Sequence, residues 1–290
     1  MLLPVSAPLI ANVSDTARWV AVYRAWETAQ PRPLFRDPFA ERLAGERGKQ
    51  IVAQLPMSRV ARNGWPLIAR TKVIDDLVLA SLAEGCSTVL NLAAGLDTRP
   101  YRLDLPKETV WIEVDLPAIL EEKARALAGE TPVCVLERES VDLADPIARG
   151  AFFDWVAAAH PRVLVITEGL VIYLDPPVVA SLGRDLAARP AFRYWMLDLV
   201  SPRILEDMQR TIGVQLTRAP FKFAPANGVA FFEALGWKVR DVKSLFHEAG
   251  RFHRLPWFLR PFSFFPPPDP RAPEREHWSA VVRLERAERG

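Results

Sequence analysis

The sequence predicts an α/β protein with a mostly parallel sheet and helices on both faces, and three observations support this fold class. Short, mainly apolar runs such as residues 89–92 and 163–166 are too short for typical helices and are typical of fully buried parallel strands. Small residues at 93–95 follow the first run, where the chain has to turn sharply. A second apolar run, at 110–112, leads into the acidic residue Asp115.

The length and composition limit the classes of protein that fit. The chain has 290 residues, of which 50% are hydrophobic, enough for one large core in one domain or one domain with an appended lid. A net charge of +2 with 25% charged residues is too balanced to indicate a nucleic-acid partner. The two cysteines, Cys86 and Cys134, form neither a disulfide framework nor a metal site, so both are expected to be buried free thiols.

No targeting segment and no membrane partner are expected. The N-terminal residues are mildly apolar, but Pro4 and Pro8 interrupt them, and they lack the basic start of a signal peptide. No window approaches the roughly 18 uninterrupted apolar residues that would indicate a membrane span. We therefore expect a soluble cytoplasmic protein.

The turn at 93–95 and the acid at 115 have the layout of a nucleotide-binding α/β unit. In such a unit the backbone of the turn approaches the ligand, and the carboxylate accepts hydrogen bonds from ribose hydroxyls. Only Gly95 is a glycine, however, so the turn lacks the G-x-G-x-x-G pattern that cradles a pyrophosphate. A ligand with a nucleoside and no phosphates fits better, and S-adenosylmethionine is the common one.

The residues around this turn resemble the leucine carboxyl methyltransferase family in the segments NLAAGLDTRPYRL at 91–103 and WIEVDLP at 111–117. The resemblance is closest to a bacterial branch of S-adenosylmethionine-dependent O-methyltransferases that includes polyketide-tailoring enzymes. It covers most of the chain, because the N-terminal signature of that branch is matched by SDTARWVAVYRAWET at 14–28 and PLFRDPFAERL at 33–43. The resemblance implies a class I methyltransferase, with a Rossmann-like, mostly parallel sheet of seven strands under a helical cover.

We interpret residues 1–290 as a single methyltransferase domain without an internal repeat or a linker. Residues 13–83 are expected to form an N-terminal helical cover. Residues 86–200 are expected to form the cofactor-binding core, and residues 201–290 an acceptor-region insertion with the closing strands.

Three helical segments are expected in the cover. Residues 14–16 can cap a first helix, a second piece covers 39–43 and ends near Gly45, and a third helix spans roughly 65–83. The resemblance implies that this region packs over the cofactor and helps to form the substrate pocket.

Three side chains of the cover are candidates for the site, and each has a structural alternative. The resemblance places the helix of Tyr23 and Arg24 over the substrate pocket, but ordinary packing and a surface charge would also explain these residues. Arg70 lies in an R-T-x-x-x-D element, and the resemblance implies that it pairs with the carboxylate of the methionine moiety, which a guanidinium fork suits. The alternative is an ion pair within its own helix, with Asp75 or Asp76.

The turn after the first strand holds two further candidates. The resemblance implies that Gly95 and Asp97 line the cofactor, with the backbone of the glycine near the methionine part. Asp97 can equally cap the helix that follows the turn. Arg99 and Arg102 are surface charges or pair with nearby acids, and we assign them no chemistry.

Asp115 ends the second strand and precedes Pro117, where the next helix begins. The family pattern E-x-D-x-P places the ribose contact on this later acid. Glu113, two residues earlier on the same face, is the competing candidate. A plain helix cap is the structural alternative for Asp115.

Strand three is predicted at 133–136, and Asp142 and Leu143 follow it after a polar link. The resemblance implies that Asp142 accepts a hydrogen bond from the adenine amino group and that the next backbone amide contacts a ring nitrogen. A turn aspartate ahead of Asp145-Pro146 is the alternative.

Strand four, at 163–167, is apolar and β-branched, and Glu168 follows its carboxyl end, where ligands bind in open parallel sheets. The resemblance covers the E-G-L-x-x-Y-L element at 168–174 and implies that Glu168 faces the amino group of the cofactor and the methyl-transfer centre. A carboxylate near a sulfonium and an ammonium is electrostatically favourable. Tyr173 either shapes the acceptor pocket or packs against the sheet.

The rest of the chain is expected to close the sheet and to form the acceptor region. Strand five is predicted at 194–200, strand six at 236–242 and an antiparallel closing strand at 278–284. Residues 261–273 are rich in proline and aromatics and are interpreted as a connection, with a partner-binding motif as the alternative.

These patterns predict a direct transfer of a methyl group from S-adenosylmethionine to a carboxylate or phenolic hydroxyl of a small molecule. Glu168 and Tyr173 are the catalytic candidates. The four histidines lie in no metal-ligand spacing, so no metal is expected. The alternatives are an NAD-dependent oxidoreductase, against which the missing glycines argue, and a non-catalytic protein that binds S-adenosylmethionine.

Overall fold

The computed structural model describes residues 13–55, 63–213 and 219–287, and a seven-stranded sheet organises them. The strands are β1 (Thr88–Leu92), β2 (Val110–Asp115), β3 (Val135–Ser140), β4 (Val163–Thr167), β5 (Phe192–Val200), β6 (Trp237–Ser244) and β7 (Ser279–Arg286). Their spatial order is β3-β2-β1-β4-β5-β7-β6. Strands β1 to β5 are parallel, and β7 pairs antiparallel with both β5 and β6. This architecture confirms the predicted sheet.

Helices cover both faces of the sheet, and many of them begin at a proline. Proline stands in the first turn of α3, α5, α6, α7 and α8, where its missing N–H costs no intrahelical bond. The helices are α1 (Val13–Thr28), α2 (Ala40–Gln54), α3 (Trp65–Ala83), α4 (Arg99–Arg102), α5 (Pro117–Ala126), α6 (Pro146–Ala159), α7 (Pro176–Ala187), α8 (Pro202–Ile212), α9 (Ala230–Glu233) and α10 (Leu245–Arg251), with 3₁₀ helices at Val171–Tyr173 and Arg260–Phe264.

The two faces have separate apolar cores because successive strand residues point to opposite sides. On one face, Leu90 of β1 packs in a cluster with Phe153 of α6 and Trp195 of β5. On the other face, Val89 packs in a cluster that includes Ile74 of α3. All five residues of β1 are buried, as expected of a strand with neighbours on both sides and helices on both faces.

Strand β3 departs most from its predicted bounds, whereas the interruption of the second helical piece is found where it was expected. The backbone is not helical at Gly45, with φ +55°, and a further helical stretch within α2 then runs to Gln54. Gly48 of this stretch packs closely on α1, where an added Cβ would lie 3.0 Å from the carbonyl oxygen of Arg18. Strand β3 begins two residues later than predicted and reaches Ser140, since this edge strand is polar and half-exposed and has no continuous apolar run.

The N-terminal helices differ in what they pack against. Helices α1 and α2 pack against each other, whereas α3 packs on one face of the sheet. The assignment of residues 86–200 to the cofactor and 201–290 to the acceptor stays a prediction. Among the described residues, no helix is long and apolar enough to cross a membrane.

Candidate active site

A cavity of about 970 Å³ lies at the carboxyl ends of the parallel strands, with residues of α1 and α8 in its wall. This is the edge at which open parallel sheets bind ligands. Eight residues that the sequence singled out for the site line this one cavity: Arg70, Gly95, Asp97, Asp115, Asp142, Leu143, Glu168 and Tyr173. The roles of these residues stay predictions, but their convergence from distant parts of the chain makes the cavity the candidate site.

The turn after β1 is joined to the acid after β2. Ala93 and Gly95 have left-handed backbones, with φ of 55° and 51°. The Gly95 amide donates to Oδ2 of Asp115 at 2.7 Å, and the Leu116 amide donates to Oδ1 at 2.8 Å. Burial raises the pKa of Asp115, although both amides oppose that rise. The carboxylate retains free lone pairs for a ligand hydroxyl.

Glu113 is excluded as the acid at the cavity. Its side chain is fully buried and forms ion pairs with Lys123 of α5 and with Arg138, the latter at 3.0 Å. Glu113 is absent from the cavity wall, and Asp115 is in it. The two acids therefore serve different purposes, which the spacing along the strand did not reveal.

Asp142 forms the expected turn and also lies in the cavity wall. Its Oδ1 accepts from the Ala144 amide at 2.9 Å, which makes it a turn aspartate, and the residue also lines the cavity. Leu143 is held beside it, because its carbonyl accepts from Nη1 of Arg149 at 2.9 Å. The structural alternative and the ligand-binding prediction are compatible here.

Arg70 does not pair within its own helix. Its Nε donates to Oε1 of Glu168 at 3.0 Å, and its Nη1 donates to Oδ2 of Asp198 at 2.9 Å. Burial alone would lower the pKa of Arg70, but the charges of Asp198 and Glu168 outweigh burial and raise it. Among the described residues Nη2 of Arg70 has no hydrogen-bond partner, so a donor remains for a ligand carboxylate.

Arg99 is a buried ion-pair centre and not a surface charge, with 2% of the residue exposed. Its Nε donates to Oδ1 of Asp75 at 2.7 Å, and its Nη1 donates to Oδ2 of Asp97 at 2.9 Å and to Oε2 of Glu168 at 2.8 Å. Arg102 is also buried and forms two hydrogen bonds with Asp75. The alternative that these arginines pair with nearby acids is therefore the correct one.

Glu168 is held as an anion. One carboxylate oxygen accepts from Arg70 and the other from Arg99. Burial alone would raise the pKa of Glu168, but the charges of Arg99 and Arg70 lower it below the ordinary value. A carboxylate with both oxygens in ion pairs is a weak proton acceptor, so Glu168 is suited to electrostatic stabilisation and not to general base catalysis.

One residue that the sequence did not single out, Asp198, also lies in the cavity wall. Asp198 of β5 lines the cavity and accepts from the Gly169 amide at 2.6 Å as well as from Arg70. An acid near the end of an otherwise apolar strand was the available signal. Asp97 in turn accepts from Asn91 of β1 at 2.8 Å and from the Arg99 amide at 2.9 Å, so it both caps α4 and lines the cavity.

Of the two candidates on α1, Arg24 lies in the cavity wall and Tyr23 does not. Arg24 lines the cavity and is buried, with Nε 2.9 Å from Asp37 and Nη2 donating to the Leu96 carbonyl at 2.6 Å. A surface charge is therefore the wrong interpretation of Arg24. Tyr23 is fully buried in the apolar cluster of the cover and is not part of the cavity wall.

The other half of the cavity is apolar. Tyr173 lies there with its ring centroid 5.3 Å from that of Phe221, and burial raises the pKa of its hydroxyl despite a hydrogen bond with Thr16. Among the described residues no histidine lines the cavity, and no group of three or more His, Cys, Asp or Glu can hold a metal ion. Apolar side chains of this half include Trp19, Val20, Leu67, Ile172, Ile204, Met208 and Ile212.

The strand order and this cavity define a class I methyltransferase. The chain belongs to the leucine carboxyl methyltransferase family, whose model matches residues 17–187. The family, the fold class and S-adenosylmethionine as the cofactor, all predicted from the sequence, are thereby confirmed.

Relatives and solved structures agree with this assignment. A protein of Mycolicibacterium smegmatis, named "putative S-adenosyl-L-methionine-dependent methyltransferase", is 34% identical over 271 residues, covering 83% of this chain and 89% of the relative. A relative of the same designation from Frankia alni is 34% identical over 247 residues, covering 79% of this chain and 83% of its own. The crystal structure of a DUF574 family protein from Streptomyces avermitilis shares the fold, with a TM-score of 0.57 at 14% identity over 93% of this chain and 97% of that one.

Proposed function

We propose that this methyltransferase transfers the methyl group to an oxygen of a small molecule, and that the acceptor is a carboxylate in preference to a phenolic hydroxyl. One observation supports this preference: among the described residues, the cavity wall holds no histidine, and neither catalytic candidate is suited to act as a general base at neutral pH. Both oxygens of Glu168 are in ion pairs, and the pKa of Tyr173 is raised. A carboxylate is already ionised at neutral pH and needs no base, whereas a phenol has to lose a proton.

The residues of the polar half fit the cofactor by their chemistry. Arg70 has a free donor for the methionine carboxylate, Asp115 has free acceptor capacity for ribose hydroxyls, and Asp142 with Leu143 suits the adenine edge. Gly95 keeps the turn free of a side chain. When bound, S-adenosylmethionine supplies a methyl group that its positive sulfur has already activated.

The chain contributes alignment and the exclusion of water. The volume of about 970 Å³ lies near the upper end of the roughly 300–1,000 Å³ typical of small-molecule sites, which is consistent with a cofactor and a small acceptor together. The apolar side chains around Tyr173 and Phe221 strip water from an acceptor and hold it next to the polar half. Orientation and desolvation are sufficient roles for a reaction whose methyl group is already activated.

An acceptor screen with matched pairs tests the proposal. The enzyme is incubated with S-adenosylmethionine and with aromatic or aliphatic carboxylic acids, each paired with the phenol or alcohol of the same skeleton. We expect methyl esters, identified by mass spectrometry and by their loss on mild alkaline hydrolysis. If the phenols gave methyl ethers and the acids gave no esters, the acceptor would be a phenol and the proposed carboxylate would be wrong. N-methylated or S-methylated products alone would contradict O-methylation.

Calorimetric titration with S-adenosylmethionine, S-adenosylhomocysteine and NAD tests the alternatives. Binding of NAD alone would support an oxidoreductase, and cofactor binding without turnover across the whole screen would support a non-catalytic protein. A cytoplasmic location and a small-molecule partner, with no nucleic acid or membrane involved, stay predictions.

A further inference from the structure

A continuous network of nine buried or half-buried charges connects the N-terminal cover to the floor of the cavity. Each member is linked to the next by an ion pair of 4.0 Å or less. In order of contact, the network runs Arg24, Asp37, Arg102, Asp75, Arg99, then Asp97 and Glu168, then Arg70 and Asp198. Four arginines therefore face five carboxylates, so one carboxylate is uncompensated within the network. Lys123, which is paired with Glu113, also acts on Asp97 from outside the network.

The excess charge is concentrated at the cavity. Asp97, Glu168 and Asp198 all line it, with Arg70 and Arg24 as the network cations in its wall, while Arg99 lies behind them and is buried. The carboxylates are kept ionised, because the neighbouring arginines lower the pKa of both Asp97 and Glu168 against the effect of burial, and Lys123 adds to this for Asp97. Between groups that are largely buried, such a charge acts over several ångströms with weak screening.

The cofactor and its product differ by one charge in the methionine part, which the predicted contact with Arg70 would place beside this network. The methionine part of S-adenosylmethionine carries a sulfonium, an ammonium and a carboxylate, for a net charge of +1. When the methyl group leaves with the acceptor's electron pair forming the new bond, the electrons of the broken C–S bond stay on sulfur. S-adenosylhomocysteine therefore has a neutral thioether and a net charge of zero.

We infer that the uncompensated carboxylate of this network makes the site discriminate the cationic cofactor from its neutral product, with Asp198 and Asp97 as specificity-determining residues and Arg99 as the residue that positions them. The discrimination itself does not depend on the proposed methyl transfer, and only its benefit during turnover rests on that proposal. During turnover, weaker binding of S-adenosylhomocysteine would favour its replacement by S-adenosylmethionine. Arg99 serves this purpose by holding Asp97 and Glu168 at the cavity without neutralising all of the acids around it.

The test is the ratio of dissociation constants for three ligands, measured by calorimetry without any acceptor. The ligands are S-adenosylmethionine, S-adenosylhomocysteine, and sinefungin, an analogue in which an amine-bearing carbon replaces the sulfonium. In Asp198→Asn we expect the Kd of S-adenosylmethionine to rise at least fivefold more than that of S-adenosylhomocysteine, and sinefungin to follow S-adenosylmethionine. Asp97→Asn is a second, independent removal of one charge, with the same expected direction.

The control is Asp154→Asn, which removes a charge from an exposed residue of α6 outside the cavity wall and should leave the ratio unchanged. If these residues had only a structural role, their substitution would raise the Kd of all three ligands by the same factor. An equal rise for the three ligands in both Asp198→Asn and Asp97→Asn would therefore overturn the inference. Because no acceptor is present, a failed acceptor screen leaves this result intact. Absence of binding by both S-adenosylmethionine and sinefungin in the wild type would overturn the inference together with the cofactor.

Discussion

The two halves of the cavity are built from opposite chemistry. The half beneath the turn after β1 is a set of ion pairs in which Arg70 and Arg99 hold Glu168 from two sides. The half beside Tyr173 and Phe221 is lined mainly by apolar and aromatic side chains, with Asp207 and Thr211 of α8 as polar members of the wall. Fixed charges suit the cofactor, which is the same in every reaction cycle. An apolar wall suits an acceptor that is selected by its shape. We therefore expect the charged half to bind the cofactor and the apolar half to select the acceptor.

The largest effect is expected from Arg99→Ala. The substitution leaves Asp75, Asp97 and Glu168 without a shared cation in a buried place, and breaking such a pair typically costs about 3–5 kcal/mol. Chemical denaturation of the wild type and the variant at neutral pH measures the loss. Arg99→Lys, which keeps the charge and loses the planar fork, should fall between the two. Equal denaturation midpoints would show that the network does not stabilise the fold.

The difference in stability between the wild type and Arg99→Ala should depend on pH. Because the folded-state pKa values of Asp97 and Glu168 are lowered, their stabilisation is fully present above the unfolded values of 3.8 and 4.5. It is lost as the pH falls through the folded values. The stability difference between wild type and Arg99→Ala should therefore be largest near pH 7 and shrink progressively below about pH 4.5. A difference that grows on acidification would contradict these pKa directions.

Cofactor affinity should be the next most sensitive property. Arg70→Ala and Asp115→Ala are each expected to weaken binding of S-adenosylmethionine at least tenfold, or roughly 1.4 kcal/mol. Arg70 provides a free donor for the ligand carboxylate, and Asp115 provides acceptors next to the Gly95 amide. Calorimetry on folded protein measures both effects. Wild-type affinity in both variants would remove these residues from the cofactor site.

A charge placed in the apolar half should affect the acceptor alone. Ile204 of α8 lines this half, so Ile204→Asp would repel a carboxylate acceptor, whereas Ile204→Asn changes the shape equally without a charge. We expect the aspartate to raise KM for a carboxylate acceptor at least fivefold relative to the asparagine, with cofactor affinity changed less than twofold. Equal KM values in the two variants would argue for an uncharged acceptor.

The smallest effect is expected from Tyr173→Phe. Burial raises the pKa of this hydroxyl, and its ring packs against Phe221, so the ring is expected to matter more than the hydroxyl. We expect kcat to fall less than about threefold, well below the 10²–10⁴-fold typical of a lost general base. A loss of 100-fold or more would make Tyr173 the base and restore the phenol as acceptor.

Local spacing and the family resemblance together located much of the polar half. Gly95, Asp115, Asp142 and Glu168 each lie at the end of a strand or within three residues after it, and parallel neighbours bring such positions to one edge of the sheet. Spacing failed for β3, because an edge strand with polar residues has no continuous apolar run. For α2 it located the interruption at Gly45 but not the helical stretch that follows and runs to Gln54.

The sequence by itself determined the fold class, the family, the cofactor and the residues that follow the strands, because each of these depends on neighbours within a few positions of the chain. Only the tertiary structure decided the ion-pair partners. Arg70 pairs with Glu168 and Asp198, more than ninety residues away, and not with the acids of its own helix. Several acidic residues lie near each arginine in the sequence, so the sequence does not show which of them forms the ion pair. Burial selects the partners, since a charge removed from water has to be paired with whichever opposite charge the packed sheet brings to it.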